Sequence, residues 1–229
     1  MYGNDALIYV SLGVTMEWYD KVITTEEEGD ILAALDGYQY DFYHFGTVLT
    51  HRVNNLKHER NELKAHRPVK LHEVTNLKGA EVPAIIAELM KFELSDGTTY
   101  TFNACELRRF NSCGKRRFEN MIGDVTMMLN LGEVGIIEVV DADMPSPSRK
   151  YITLPPRTGI LFRAPKSGQK WNLKVRHLPF SEHKDKLDKS KVTAEELQRY
   201  SRKPLRGYER TVLILRNNNP IIAKDDEDE

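Results

Sequence analysis

Short apolar runs broken by glycine, proline and charged pairs dominate this chain, and they predict strands more than helices. Ala6–Gly13 reads as a first strand, and the aromatic-rich stretch Tyr38–Leu49 as strand material with a turn at Gly46. From Thr98 to Arg216 the pattern is mostly β. Thr98–Phe102 follows the turn Ser95-Asp96-Gly97, Val125–Leu131 is one apolar run, and Val134–Val140 resumes after Gly132. Two prolines make Met144–Ser148 a turn, and Pro155-Pro156 splits Tyr151–Leu154 from Thr158–Arg163. Trp171, Leu173 and Val175 alternate with polar residues, the period of a half-buried strand, and Thr211–Leu215 is β-branched and strongly strand-forming.

Helical signals are fewer. Thr25 followed three residues later by Glu28 forms a capping box, after which Ile31, Leu32 and Leu35 give one apolar stripe ending near Gly37. Pro83 fits a first helical turn, followed by the amphipathic set Ile85, Ile86, Leu89 and Met90. A weaker helix is expected at Thr193–Tyr200 inside the charged stretch Ser181–Pro204. Val53–Pro68 is polar and aperiodic and reads as a loop or surface hairpin. Helices first and many short strands afterwards predict a jelly roll or barrel with helices packed outside it.

Composition narrows the function classes. With 229 residues, 40% of them hydrophobic, one domain with a real core is expected. The two cysteines, Cys105 and Cys113, make neither a disulfide framework nor a zinc site. No apolar run is long enough to cross a bilayer, and no basic region precedes the first apolar stretch. An intracellular soluble protein, cytoplasmic or nuclear, is the expectation. The final Asp225–Glu229 is wholly acidic and is expected to be a disordered tail spanning 221–229.

Three landmarks carry a more specific resemblance. Phe102-Asn103 is followed by Leu107-Arg108-Arg109-Phe110 and Gly114, then by Leu129-Asn130-Leu131-Gly132, and finally by the strand Arg210–Arg216 with an arginine at each end. In this order they resemble the AlkB family of 2-oxoglutarate and iron dioxygenases. Thr158–Leu161 is similar to that family's Gly-Ser-Leu strand, and Trp171 to the Trp before its distal histidine. The resemblance covers roughly Pro83 to Arg216. It implies an α+β fold: a double-stranded β-helix, or jelly roll, with N-terminal helices outside. The expected organisation is one domain over 1–220, with an extension over 1–82, a core over 83–220 and a charged insertion over 181–204.

The resemblance also shows what is missing. Non-haem iron of this kind is held by two histidines and a carboxylate. In the family's register the first pair falls on Met121 and Gly123, and the distal histidine falls near Leu173. No histidine lies between His72 and His177, so a shift of register does not restore the pair. Asp124 and His177 are the fallback ligands. The positions that resemble the co-substrate-binding Asn and Tyr are Arg108 and Phe110, and Phe110 has no hydroxyl to donate. Arg210, which resembles the carboxylate clamp, and Arg216 survive. Their even spacing puts them on one face of a strand, expected to be the interior. There they would hold an anion or pair with Glu106, Glu119 or Glu138.

Basic clusters point to a partner. Arg52, Lys57, Arg60, Lys64, Arg67 and Lys70 form one, and Arg108, Arg109, Lys115, Arg116 and Arg117 another. A third comprises Arg163, Lys166, Lys170, Lys174 and Arg176. The resemblance would set the first two near a mouth where phosphates are neutralised. The nucleic-acid contact candidates are Arg108, Arg109, Lys115, Arg116, Arg117, Arg52, Lys57 and Arg60. A solvated charged surface is the plainer reading of the same residues. The expected function is therefore a non-catalytic AlkB-like binding or scaffold protein in an RNA- or DNA-containing or protein complex, with no cofactor, no metal and no membrane. Two alternatives stand beside it: an active 2-oxoglutarate/Fe(II) dioxygenase with unorthodox ligands, and a metal-free carboxylate sensor.

Overall fold

The computed structural model of the chain describes residues 9–11, 14–36, 42–46, 48–51, 71–74, 84–93, 99–110, 118–120, 125–141, 149–163, 173–201 and 208–217. The first described strands are β1 (Tyr9–Ser11), β2 (Val14–Tyr19), β3 (Phe42–Gly46), β4 (Val48–His51), β5 (Leu71–Val74), β6 (Lys91–Glu93) and β7 (Thr99–Thr101). Two helices lie among them, α1 (Thr25–Asp36) and α2 (Ala84–Leu89). Then come β8 (Ala104–Phe110), β9 (Phe118–Asn120), β10 (Val125–Gly132), β11 (Gly135–Asp141), β12 (Arg149–Leu154), β13 (Gly159–Arg163) and β14 (Leu173–His177). Helix α3 (Ala194–Ser201) and strand β15 (Arg210–Arg216) follow.

From β8 onward the chain winds between two antiparallel sheets. The large sheet has the order β1-β2-β13-β10-β15-β8-β3 and the small one β12-β11-β14-β9. Strands β8, β10, β13 and β15 thus belong to one sheet and β9, β11, β12 and β14 to the other, which is the winding of a jelly roll.

Alternation along the strands separates the faces. Met128, Ile160, Phe162, Val212 and Ile214 of the large sheet meet Ile137, Val139, Leu154 and Val175 of the small one and form the core between the sheets. The opposite face of the large sheet presents Cys105, Leu107, Met127, Leu129, Leu131, Leu161, Leu213 and Leu215 to Ile31 and Leu35 of α1 and Ile86 of α2. Strands β10 and β15 are apolar on both faces because both faces are covered.

Local chemistry explains the ends of the elements. The box before α1 is set one residue earlier than the sequence predicts: the Glu27 amide donates to Thr24 Oγ1 at 3.1 Å, and the Thr24 amide to Glu27 Oε2 at 2.6 Å. Glu28, expected in the box, instead accepts the Gly132 amide at 2.8 Å. A genuine box also opens α3, where Thr193 and Glu196 exchange bonds of 2.7 and 3.2 Å. Strand β2 is not foreseen from its acidic sequence. Its Glu17 is buried, accepts the Tyr19 hydroxyl at 2.5 Å and pairs with Arg163.

The charged insertion is a strap across the small sheet. Phe180 and Tyr200 pack with Val134, Ile136, Leu178 and Tyr208, and Leu187 and Val192 border them. The Tyr208 hydroxyl donates to the Val134 carbonyl at 2.6 Å, and the Tyr200 hydroxyl to Glu133 at 2.7 Å. Burial pushes both phenols up to about 12, so both remain hydroxyl donors near neutrality. Within the insertion, Leu187, Val192 and Tyr200 pack on this chain's own sheet.

Candidate functional site

The interior narrows at one end to a polar cluster around Arg210. Strand β15 pairs with β10 and β8 in a register that sets Arg210 opposite Gly132 and Phe110, and Val212 opposite Arg108. Arg210 therefore shares the inward face with Val212 and Ile214, as its spacing predicts. Its Nε donates to Asn130 Oδ1 at 2.5 Å, and its Nη2 lies 3.2 Å from His177 Nδ1. Its guanidinium carbon stands 5.2 Å from the Phe110 ring centroid.

Two glycines shape this corner. A Cβ at Gly135 would lie 2.1 Å from Arg210 Cζ, so the missing side chain is the space the guanidinium fills. Gly132 turns the chain between the sheets at φ +75°, a conformation that favours glycine. A Cβ there would also come within 2.8 Å of the Glu209 carbonyl. Asn130 is fixed from its other side, its Nδ2 donating to the carbonyls of Glu133, Leu154 and Pro155 at 2.9–3.1 Å. With the amide nitrogen so engaged, Oδ1 is the atom that faces Arg210.

His177 ends β14, opposite Ile137 on the inward face. Its ring packs against Phe110 with centroids 4.7 Å apart. Burial holds its pKa well below the usual histidine value, and the positive charges of Arg210 and Arg108 press it further down. A guanidinium only donates, so Nδ1 is the acceptor and the neutral ring carries its proton on Nε2.

At the other end of β15, Arg216 pairs with Glu106 at 3.2 Å, and Arg108 donates to the same carboxylate at 2.8 Å. Of the three carboxylates weighed for the interior, Glu106 takes this role. Glu138 is fully buried but pairs with Arg149 and Arg176. Of Glu119 only the backbone, opposite Val175, is described.

The remaining candidates separate. Met121, Gly123 and Asp124 lie outside the described residues, as do Lys115, Arg116, Arg117, Lys57, Arg60, Arg52 and Trp171. Leu173 opens β14 opposite Asp141. Arg108 points inward, whereas Arg109, on the opposite face, donates to the Leu35 carbonyl near the end of α1. These neighbours in sequence do not make one basic patch. Arg163, of the third basic group, is drawn away to Glu17 and donates to the Tyr100 hydroxyl at 3.0 Å. Asn130 and Gly135 are central here; the sequence named Asn130 only within the Leu129–Gly132 landmark, with no role at the site, and did not name Gly135 as a site residue. The signal for Asn130 was a lone amide inside an apolar strand.

An iron centre does not fit the described part of this interior. Among the described residues no three His, Cys, Asp or Glu side chains stand together as a ligand set. The histidine that is brought inward has a guanidinium against its Nδ1.

No family model and no curated protein matches the chain. Among solved structures, the chain is similar to an oxidoreductase of the 2OG-Fe(II) oxygenase family from Burkholderia pseudomallei. The identity is 14% and the TM-score 0.37, over 90% of this chain and 85% of that one. It is also similar to a bsmA homolog from Methylobium petroleophilum PM1, at 13% identity and a TM-score of 0.32, over 85% and 82% of the two chains. At these scores the jelly-roll assignment stands on the strand order alone. No helix among the described residues is long and apolar enough to cross a membrane.

Proposed function

We propose that the chain is a non-catalytic AlkB-like protein that works as a binding or scaffold subunit. The observation that carries this reading is the contact between Arg210 and His177. A permanent cation occupies the approach to Nδ1; burial first, and then the positive charges of Arg210 and Arg108, depress the imidazole's pKa, and those same charges oppose a divalent metal beside that nitrogen. Loss of the first histidine of the metal triad, read from the sequence, supports it independently. The fold alone decides no activity.

A second reading has its own support. The field at Arg210 is positive and buried, and a guanidinium fork pairs well with a carboxylate. Such an interior suits a metal-free carboxylate sensor.

Anaerobic calorimetry on the metal-stripped protein tests both. With Fe(II) or Mn(II), no stoichiometric heat is expected, and tight binding of one metal per chain would restore the dioxygenase reading. Heat from 2-oxoglutarate without metal would favour the sensor.

A further inference from the structure

The two outer layers of the fold carry opposite charge. On the far side of the large sheet, α1 buries Glu28, Ile31 and Leu35 and turns Glu26, Glu27, Asp30 and Asp36 to solvent. The helix itself holds no lysine or arginine. Arg157 approaches its first turn and is engaged there by Thr25 and Glu28. Between the acids the helix surface is smooth: Gly29, Ala33 and Ala34 are exposed, and a Cβ at Gly29 would meet nothing within 4 Å.

The outer face of the small sheet is basic. Ile137, Val139 and Val175 point into the core, so alternation turns Glu138 and Val140 outward. The register then sets Arg149 and Lys174 on either side of Val140, and Tyr151 and Arg176 on either side of Glu138. Glu138 lies fully buried beneath Arg149 and Arg176, which covers its charge while the Arg149 side chain stays 60% exposed. Lys186 of the strap is 41% exposed, beside Asp185, and sets its ammonium 5.4 Å over the exposed Tyr151 ring. The acidic and basic layers cannot neutralise each other within one chain. Two sheets stacked about 10 Å apart separate them, further than the ~8 Å over which charges act at physiological salt. The formal net charge of −1 leaves little overall repulsion between copies.

We propose that the basic face of the small sheet docks on the α1 face of a second copy of this chain. Tyr151 sits against the smooth surface at Gly29 and Ala33, and Arg149, Lys174 and Lys186 meet Glu26, Glu27 and Asp30. Such a contact joins two different patches, so it is head-to-tail and repeats into a ring or an open chain. The inference goes beyond the binding-subunit reading and does not depend on what occupies the interior.

Sedimentation velocity on the full chain tests it. At low salt, species larger than one chain are expected, and high salt should return them to monomer. Lys174→Glu/Lys186→Glu should weaken the association about tenfold, and so should Gly29→Arg, which sets bulk and a cation amid the acids. An exposed helical glycine replaced by arginine gains helix propensity, so this second variant does not threaten folding. Mixed together, the two variants still offer one intact acidic face and one intact basic face. The mixture should therefore form dimers and nothing longer. A parent that is monomeric at low salt would overturn the proposal, as would variants that associate like the parent. Assemblies that high salt leaves intact would place the contact on another surface, and a mixture that stays monomeric would exclude the head-to-tail arrangement.

Discussion

Arg210 and Arg216 stand six residues apart on one inward face of β15, both nearly inaccessible to solvent, and they are held by different chemistry. Arg216 meets a carboxylate, Glu106, which also holds Arg108. Arg210 meets an amide oxygen, an imidazole nitrogen and the face of a phenyl ring. A charge pair is strong and tolerates modest displacement, whereas dipoles support a cation only while each is correctly aimed. The Glu106 end is accordingly a structural anchor. The Arg210 end depends on Asn130, Gly135 and His177 keeping their places, and it is the end at which a change of occupant would be felt.

The largest effect is expected at the anchor. Glu106→Ala leaves two largely buried guanidinium groups without their shared carboxylate and should cost about 3–5 kcal/mol in chemical denaturation. A loss under ~1 kcal/mol would mean that the two ends do not differ in this way. Gly135→Ala comes next. Its methyl must displace the Arg210 guanidinium, at an expected cost of about 1–3 kcal/mol. In an Arg210→Met background most of that cost should vanish; full persistence would assign the crowding to the backbone.

The smallest effect is a dependence on pH. The folded-state pKa of His177 is lowered, so the unfolded chain binds the proton more readily. The resulting stability is fully present above the unfolded value of about 6.5 and is lost as pH falls below it, by at most about 1.4 kcal/mol per pH unit. His177→Gln should flatten the denaturation midpoint between about pH 6.5 and 5 relative to the parent. An unchanged slope would exclude His177 as its source.

The architecture was largely legible, because the strands from Val125 onward keep their apolar runs and are separated by glycine and proline. Strand β2 was hidden by Glu17, a buried acid whose partner Arg163 lies far away in sequence. The first capping box was misplaced by one residue because Thr24-Thr25-Glu26-Glu27-Glu28 offers two overlapping registers. At the site, the inward direction of Arg210 and Arg216 followed from even spacing, and Glu106 was among the carboxylates named for them. The Asn130 and His177 contacts did not follow, since nothing local in the sequence reports which groups three different strands bring together. The same limit grouped Arg108 with Arg109, although the alternation of a strand sends them to opposite faces.

The position of β15 carries a consequence for synthesis. It follows every other described strand in chain order, yet it lies in the interior of the large sheet, between β10 and β8. Until it emerges, those two strands have no hydrogen-bonding partner between them and the inter-sheet core lacks Val212 and Ile214. The jelly roll therefore cannot close progressively during translation. Strands β8 to β14 must wait, with apolar sheet surface open, for this one later insertion, which makes nascent forms and forms truncated before β15 the ones most exposed to aggregation.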